Sequence, residues 1–208
     1  ASEINFDAYV GRDASTRSGV TNITFLQDTL FNSGFGVFAR YNYNGKILSL
    51  LDTEHVTWNK DQNQWEYEHT RYWPSEGSVD FYAFAPYSDV PKLNDNFEID
   101  FPSNMSPVDL VWANAKGRTK TNERVKFTFS HALARIGFDI TANNLTDGES
   151  ITVQEVKLYC VSNNEHIGVF VMAGYLNLEN GAWTLADNGI RWFYTWTPDG
   201  KVDGNENV

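Results

Sequence analysis

The sequence predicts an all-β protein of the sandwich or barrel type. Three observations point there. Helical periodicity is almost absent along the 208 residues, while short alternating apolar–polar runs recur at close intervals. Aromatic residues make up 15% of the chain, and they concentrate in Val56–Tyr87 (VTWNKDQNQWEYEHTRYWPSEGSVDFYAFAPY). There, large rings alternate with polar positions, as a two-layer antiparallel core requires. Short polar turns and Pro-bounded ends separate one run from the next.

The elements follow in order. Ile4–Val10 alternates, with Ile4, Phe6, Ala8 and Val10 on one parity. In Phe35–Tyr41 one face carries Phe35, Val37, Ala39 and Tyr41, and Asn44-Gly45 follows, the strongest short hairpin signal. Trp58 and Trp65 stand at the two feet of the polar tip Asn59–Gln64. Pro74–Gly77 is a turn that launches Val79–Ala85, closed by Pro86. Val90–Thr121 is looser, with Pro91, Pro102 and Pro107 and short strands expected at Phe97–Phe101 and Leu110–Ala113. Lys116–Asn122 reads either as an interdomain linker or as a solvated loop. In Val125–Ile140 the large side chains sit at odd positions up to Leu133 and at even positions from Ile136. A strand cannot change parity without moving its apolar set to the other face, so a bulge, corner or helical turn is expected near Ala132–Arg135. His131 stands at that switch, and the reading is a half-buried ring bonded to irregular backbone rather than a ligand or base. A second parity change separates Ile151 and Val153 from Val156, Leu158 and Cys160. Ile167–Met172, a hairpin around Asn180-Gly181, a turn at Asp187–Gly189 and the strand Ile190–Trp196 complete the pattern. The Asp/Gly/Asn-rich tail Thr197–Val208 is expected to fray.

Composition narrows the function. The net charge is −11, from 16 basic and 27 acidic residues, which argues against nucleic acid as a partner. The single cysteine, Cys160, lies in the apolar run Val156–Val161 and reads as a small buried hydrophobe. No apolar run reaches membrane-span length and no signal-peptide core opens the chain, so the sequence reads as a mature or trimmed form. His55, His69, His131 and His166 form no metal-binding spacing, so no metal is expected. Asp199–Asn205 only superficially resembles a calcium loop, having Lys201 at its third position. The carboxylates show no discriminating pair for glycoside hydrolysis, and no nucleophile elbow or phosphate-cradling glycine loop occurs. The reading is a non-enzyme with no catalytic residues and no cofactor. Seven Trp and ten Tyr leave a carbohydrate- or host-ligand-binding module as the alternative, although such rings serve more often as core and cross-strand pairs.

One set of motifs is more specific than any of these. Asn63-Gln64-Trp65-Glu66-Tyr67 with Arg71-Tyr72-Trp73-Pro74, then Val79–Tyr87, then Phe129–Ile136, together with the opening Ile4–Val10 through Thr16-Arg17, resembles the fimbrillin family of Bacteroidetes pilus subunits. The resemblance implies two transthyretin-like antiparallel β-sandwich domains, here residues 1–122 and 123–208, the second short for a complete domain. It implies export, a precursor lipid-anchored to the outer membrane, and a place in a cell-surface pilus as a structural or adhesive subunit. The partners it implies are other pilus subunits, joined by strand exchange, with a host glycan or protein as a further ligand. In that family an Arg-specific protease removes the first strand. Arg17 sits where such a cut falls, and Arg12 is a second candidate. Ile4, Phe6, Ala8 and Val10 then form the removable strand, whose apolar row suits a groove that a donated strand refills.

Overall fold

The computed structural model describes residues 2–10, 30–101, 110–133, 138, 140–141, 146, 151–158, 160–162, 165–167, 174–185, 192–196 and 202–207. The all-β expectation holds. Its strands are β1 (Phe6–Val10), β2 (Phe35–Tyr43), β3 (Lys46–Asn59), β4 (Gln64–Glu66), β5 (Ser78–Ala85), β6 (Glu98–Phe101), β7 (Val111–Arg118), β8 (Val125–His131), β9 (Val156–Leu158), β10 (Cys160–Ser162), β11 (Glu165–Ile167), β12 (Gly174–Asn177), β13 (Trp183–Leu185), β14 (Trp192–Trp196) and β15 (Val202–Asn207). They fall into two compact units. The first comprises Ala1–Ala134 and Tyr175–Thr184, the second Arg135–Gly174 and Leu185–Val208.

The first unit is built on a seven-stranded sheet in the order β1-β8-β7-β5-β2-β3-β4. Every neighbouring pair is antiparallel except β1 with β8. The alternation read from the sequence places one apolar row inside. Phe35, Val37 and Ala39 of β2, Val79, Phe81, Ala83 and Ala85 of β5, and Val125, Phe127 and Phe129 of β8 form one buried cluster with Ile4, Phe6, Trp65 and Trp73. Tyr41 completes the expected face as a partly buried member. The opposite face of β2 and β5 is covered as well. Phe38, Tyr82 and Phe84 join Ile99, Leu110, Leu176 and Leu178 in a second cluster. The cover is a three-stranded sheet in the order β13-β12-β6, in which Tyr175–Thr184 returns from late in the chain. Asn114 Nδ2 fastens that return by donating to the carbonyls of Leu178 (2.8 Å) and Glu179 (2.9 Å). The Tyr82 hydroxyl donates to Glu179 Oε1 at 3.3 Å, and its pKa is pushed up, first by burial and then by the charges of Asp80 and Glu179.

Double burial constrains Gly36. It faces Phe84 across the β2–β5 ladder, and a Cβ at this position would lie 2.4 Å from that ring. The ring is fully enclosed and has nowhere to retreat. Gly36→Ala is therefore expected to destabilise the first unit by about 1–3 kcal/mol, the usual cost of overpacking a core, measured as a lowered urea midpoint at unchanged slope.

The hairpin signals are met. Asn44 and Gly45 both take positive φ (50° and 72°) between β2 and β3, as a two-residue hairpin turn demands. Trp58 and Trp65 are register partners at the foot of the β3–β4 tip, their ring centroids 5.2 Å apart. Asn180-Gly181 lies in the turn joining β12 to β13. Lys116–Asn122 is not a linker: it forms the end of β7 and the loop to β8, which are hydrogen-bonded neighbours in one sheet. Residues 122 and 123, where the sequence places a domain division, lie in that loop. His131 is exposed at the end of β8 rather than half-buried. β8 itself alternates buried and exposed residues from Val125 to Ser130, and the strand stops at His131, just ahead of the expected parity change.

In the second unit, β15, β14 and β9 form an antiparallel sheet in that order, and β10 pairs antiparallel with β11. The tail departs from expectation here: Val202–Asn207 does not fray but pairs with Trp192–Trp196. Its polar composition hid a strand whose backbone finds partners on the aromatic-rich β14.

Candidate functional site

Residues 2–10 join the two ends of the seven-stranded sheet. At one end β1 lies parallel to β8, with Phe6 opposite Val125 and Val10 opposite Phe129. At the other end the chain leaving β4 runs to Arg71–Trp73, and Ser2–Ile4 pairs with it. The Ile4 amide donates to the Arg71 carbonyl (2.8 Å), the Trp73 amide to the Ser2 carbonyl (2.9 Å), and Glu3 bridges Tyr72 antiparallel. The N-terminal segment is thus gripped on both sides, antiparallel to one neighbour and parallel to the other.

Its inward side chains fill a pocket in the first core. Ile4 and Phe6 are fully buried, and Ala8 is partly buried against the same cluster. Three rings from three different parts of the chain surround Phe6. Phe127 of β8 stacks on it at 5.7 Å, Phe81 of β5 meets it edge-on at 5.8 Å, and Tyr67 tilts against it at 5.3 Å. Burying Ile4 and Phe6 contributes roughly 3–6 kcal/mol before ordering costs.

Polar groups read the segment's backbone. The Val125 amide donates to the Asn5 carbonyl at 2.7 Å, and the Tyr67 hydroxyl to the Ile4 carbonyl at 2.7 Å. Arg124 Nη1 reaches the Phe6 carbonyl at 3.4 Å and lies 3.9 Å from the Asp7 carboxylate, while its Nη2 donates to Gln64 Oε1 of β4. Arg124 therefore ties both edges of the sheet to the segment. Burial raises the Tyr67 pKa above its ordinary value of 10.0, so the hydroxyl keeps its proton and stays a donor at neutral pH. Trp73 is buried beside the segment with its Nε1 lacking a hydrogen-bond partner among the described residues, and its ring meets Phe81 edge-on at 5.8 Å.

With this geometry established, the sequence matches the fimbrillin-like family over residues 20–206. The chain belongs to the fimbrillin-like family. Comparisons with curated proteins and with solved structures give no match. Membership in a family of pilus subunits supports a fimbrial role and a place in assembly with other subunits at the cell surface. The family match begins at residue 20, so β1 precedes the matched stretch.

The positions singled out from sequence fall as follows in this fimbrillin-like chain. Ile4, Phe6 and Ala8 lie together in one pocket-facing row, and the Val10 side chain lies outside the described residues. Arg12 and Arg17 also lie outside them, as does the Cys160 side chain. Among the described residues no group of three or more His, Cys, Asp and Glu stands close enough to hold a metal. No helix among them is long and apolar enough to cross a membrane. Trp65 and Trp73 are core rings rather than an exposed stacking platform. Sequence reasoning missed Arg124 and Tyr67 as contacts of the segment, and Arg71–Trp73 as its second wall. Their separations from the residues they touch, 118 for Arg124–Phe6 and 63 for Tyr67–Ile4, leave no local signal to read.

Proposed function

We propose that this chain is a pilus subunit whose N-terminal strand is exchangeable. Cleavage behind the strand, at Arg17 or Arg12, frees residues 2–10 to leave, and a strand from a neighbouring subunit takes their place. The observation that supports this reading most directly is the seat of residues 2–10, held between β8 and Arg71–Trp73 with Ile4 and Phe6 fully buried. Its departure bares the outer backbone edge of β8, the backbone of Arg71–Trp73 and an aromatic-lined pocket. A donated strand satisfies all three at once. No covalent chemistry by the subunit is required. Export, an outer-membrane lipid anchor on the precursor, and a host ligand at the surface belong to the same proposal through the family.

The test uses the whole chain, an Arg-specific protease and a fluorescently labelled peptide of residues 2–10 in excess. Cut chain is expected to take up the peptide and uncut chain to exclude it, read by co-elution on size exclusion. An Arg12→Ala/Arg17→Ala variant treated with the same protease is expected to behave as uncut. Cut chain that excludes the peptide overturns the reading.

A further inference from the structure

The seat of β1 also describes the chemistry of whatever replaces it; this inference rests on the exchange reading above. The polar groups of the groove meet the strand's carbonyls and read no sequence. The Trp73 amide, Tyr67 hydroxyl, Val125 amide and Arg124 guanidinium take the carbonyls of Ser2, Ile4, Asn5 and Phe6 in turn. Any strand supplies carbonyls at that spacing. A slip by one residue, however, turns the inward row outward, so parity is fixed once the backbone is engaged. Sequence is then read at the inward positions, and these differ in kind. The Ile4 position is fully enclosed and holds an aliphatic side chain. The Phe6 position is walled by Tyr67, Phe81 and Phe127, at distances typical of paired rings. The third inward position holds only the small side chain of Ala8, against the margin of the core. Between them, the outward Asp7 lies beside Arg124.

We infer that the groove selects an incoming strand of the form aliphatic–x–aromatic–acid–small, and that the aromatic at the Phe6 position is the main determinant of selection. A smaller residue there forfeits contacts with three rings and leaves a void that the surround fills only in part. The chain's own β15, Val202-Asp203-Gly204-Asn205-Glu206-Asn207, carries no ring and does not fit.

The test varies the peptide and leaves the subunit unchanged, so that folding of a variant is not at issue. Arg-protease-cut chain is titrated with four peptides spanning residues 2–10: the native sequence, Phe6→Leu, Phe6→Ala, and one with residues 5 and 6 interchanged so that the ring points outward. Uptake is followed by peptide fluorescence anisotropy. The native peptide is expected to bind most tightly. Phe6→Ala is expected to weaken binding by on the order of 100-fold, Phe6→Leu by less, and the interchanged peptide to fall to the level of Phe6→Ala or below. Equal uptake of native and Phe6→Ala peptides overturns the selection while leaving strand exchange intact. Failure of every peptide, the native one included, overturns exchange and the selection with it.

Discussion

A chain expressed without residues 1–10 is expected to lose most of the stability of its first unit, and to recover it when the peptide Ser2–Val10 is supplied. The magnitude follows from what the segment buries. Ile4 and Phe6 leave water completely, which is worth roughly 3–6 kcal/mol, and the segment's hydrogen bonds to Arg71, Trp73, Val125 and Tyr67 are lost in addition. Against a typical domain stability of about 5–15 kcal/mol, that loss brings the truncated chain close to unfolding at room temperature. A second effect acts in the same direction. Without β1 the outer edge of β8, with Phe127 and Phe129 on its inner face, is an unpaired strand beside an open apolar pocket, the arrangement that templates association. Urea unfolding is expected to show a midpoint far below that of the full chain, and size exclusion to show aggregates. Millimolar peptide is expected to raise the midpoint and restore the monomer, because a ligand that binds only the folded form stabilises it by mass action. A truncated chain with the midpoint of the full chain would mean that the segment merely overlies a core complete without it.

Much of the fold was legible because period-two patterning states which face of a strand is buried. Alternation puts Phe35, Val37 and Ala39 on one face, and they line one core. Asn44-Gly45 and the Trp58–Trp65 pair marked hairpins that form where expected. The alternation leaves out the second buried face of β2 and β5. Its signal was nonetheless present: Phe81-Tyr82-Ala83-Phe84-Ala85 is apolar at every position, the mark of a strand covered on both sides. What covers it, Tyr175–Thr184, lies about 90 residues further along the chain, and no local pattern announces such a return. The site divides along the same line. The parity of Ile4, Phe6 and Ala8 lies in five consecutive letters, so the row is visible. The parallel partnership with β8 was not, since alternation fixes the faces of a strand but names neither its neighbour nor its direction. The aromatic surround of Phe6 is assembled from Tyr67, Phe81 and Phe127, and only folding brings these together.

That surround makes the second large prediction. Phe6→Ala and Phe127→Ala are each expected to cost roughly 3–5 kcal/mol in the intact chain, because each removes a fully buried ring and leaves a void that the core closes only in part. Their combination is expected to cost less than the sum by about 1–2 kcal/mol, since the stacked contact at 5.7 Å is lost once, not twice. Phe6→Ala with Phe38→Ala serves as the control. Phe38 is equally buried but belongs to the cluster on the opposite face of the sheet, so this pair is expected to be additive within about 0.5 kcal/mol. Denaturant titration of the single and double variants measures both cycles. Where two Ala changes leave too little folded protein, the Leu versions at the same positions keep the sign of the coupling at smaller amplitude. Coupling confined to the Phe6–Phe127 pair places the energy of strand retention in the ring contact itself, and so in a feature that any replacement strand must reproduce. Additivity in both cycles would instead make Phe6 a generic apolar filler, interchangeable with an aliphatic residue, and the groove would then hold its occupant by backbone pairing alone.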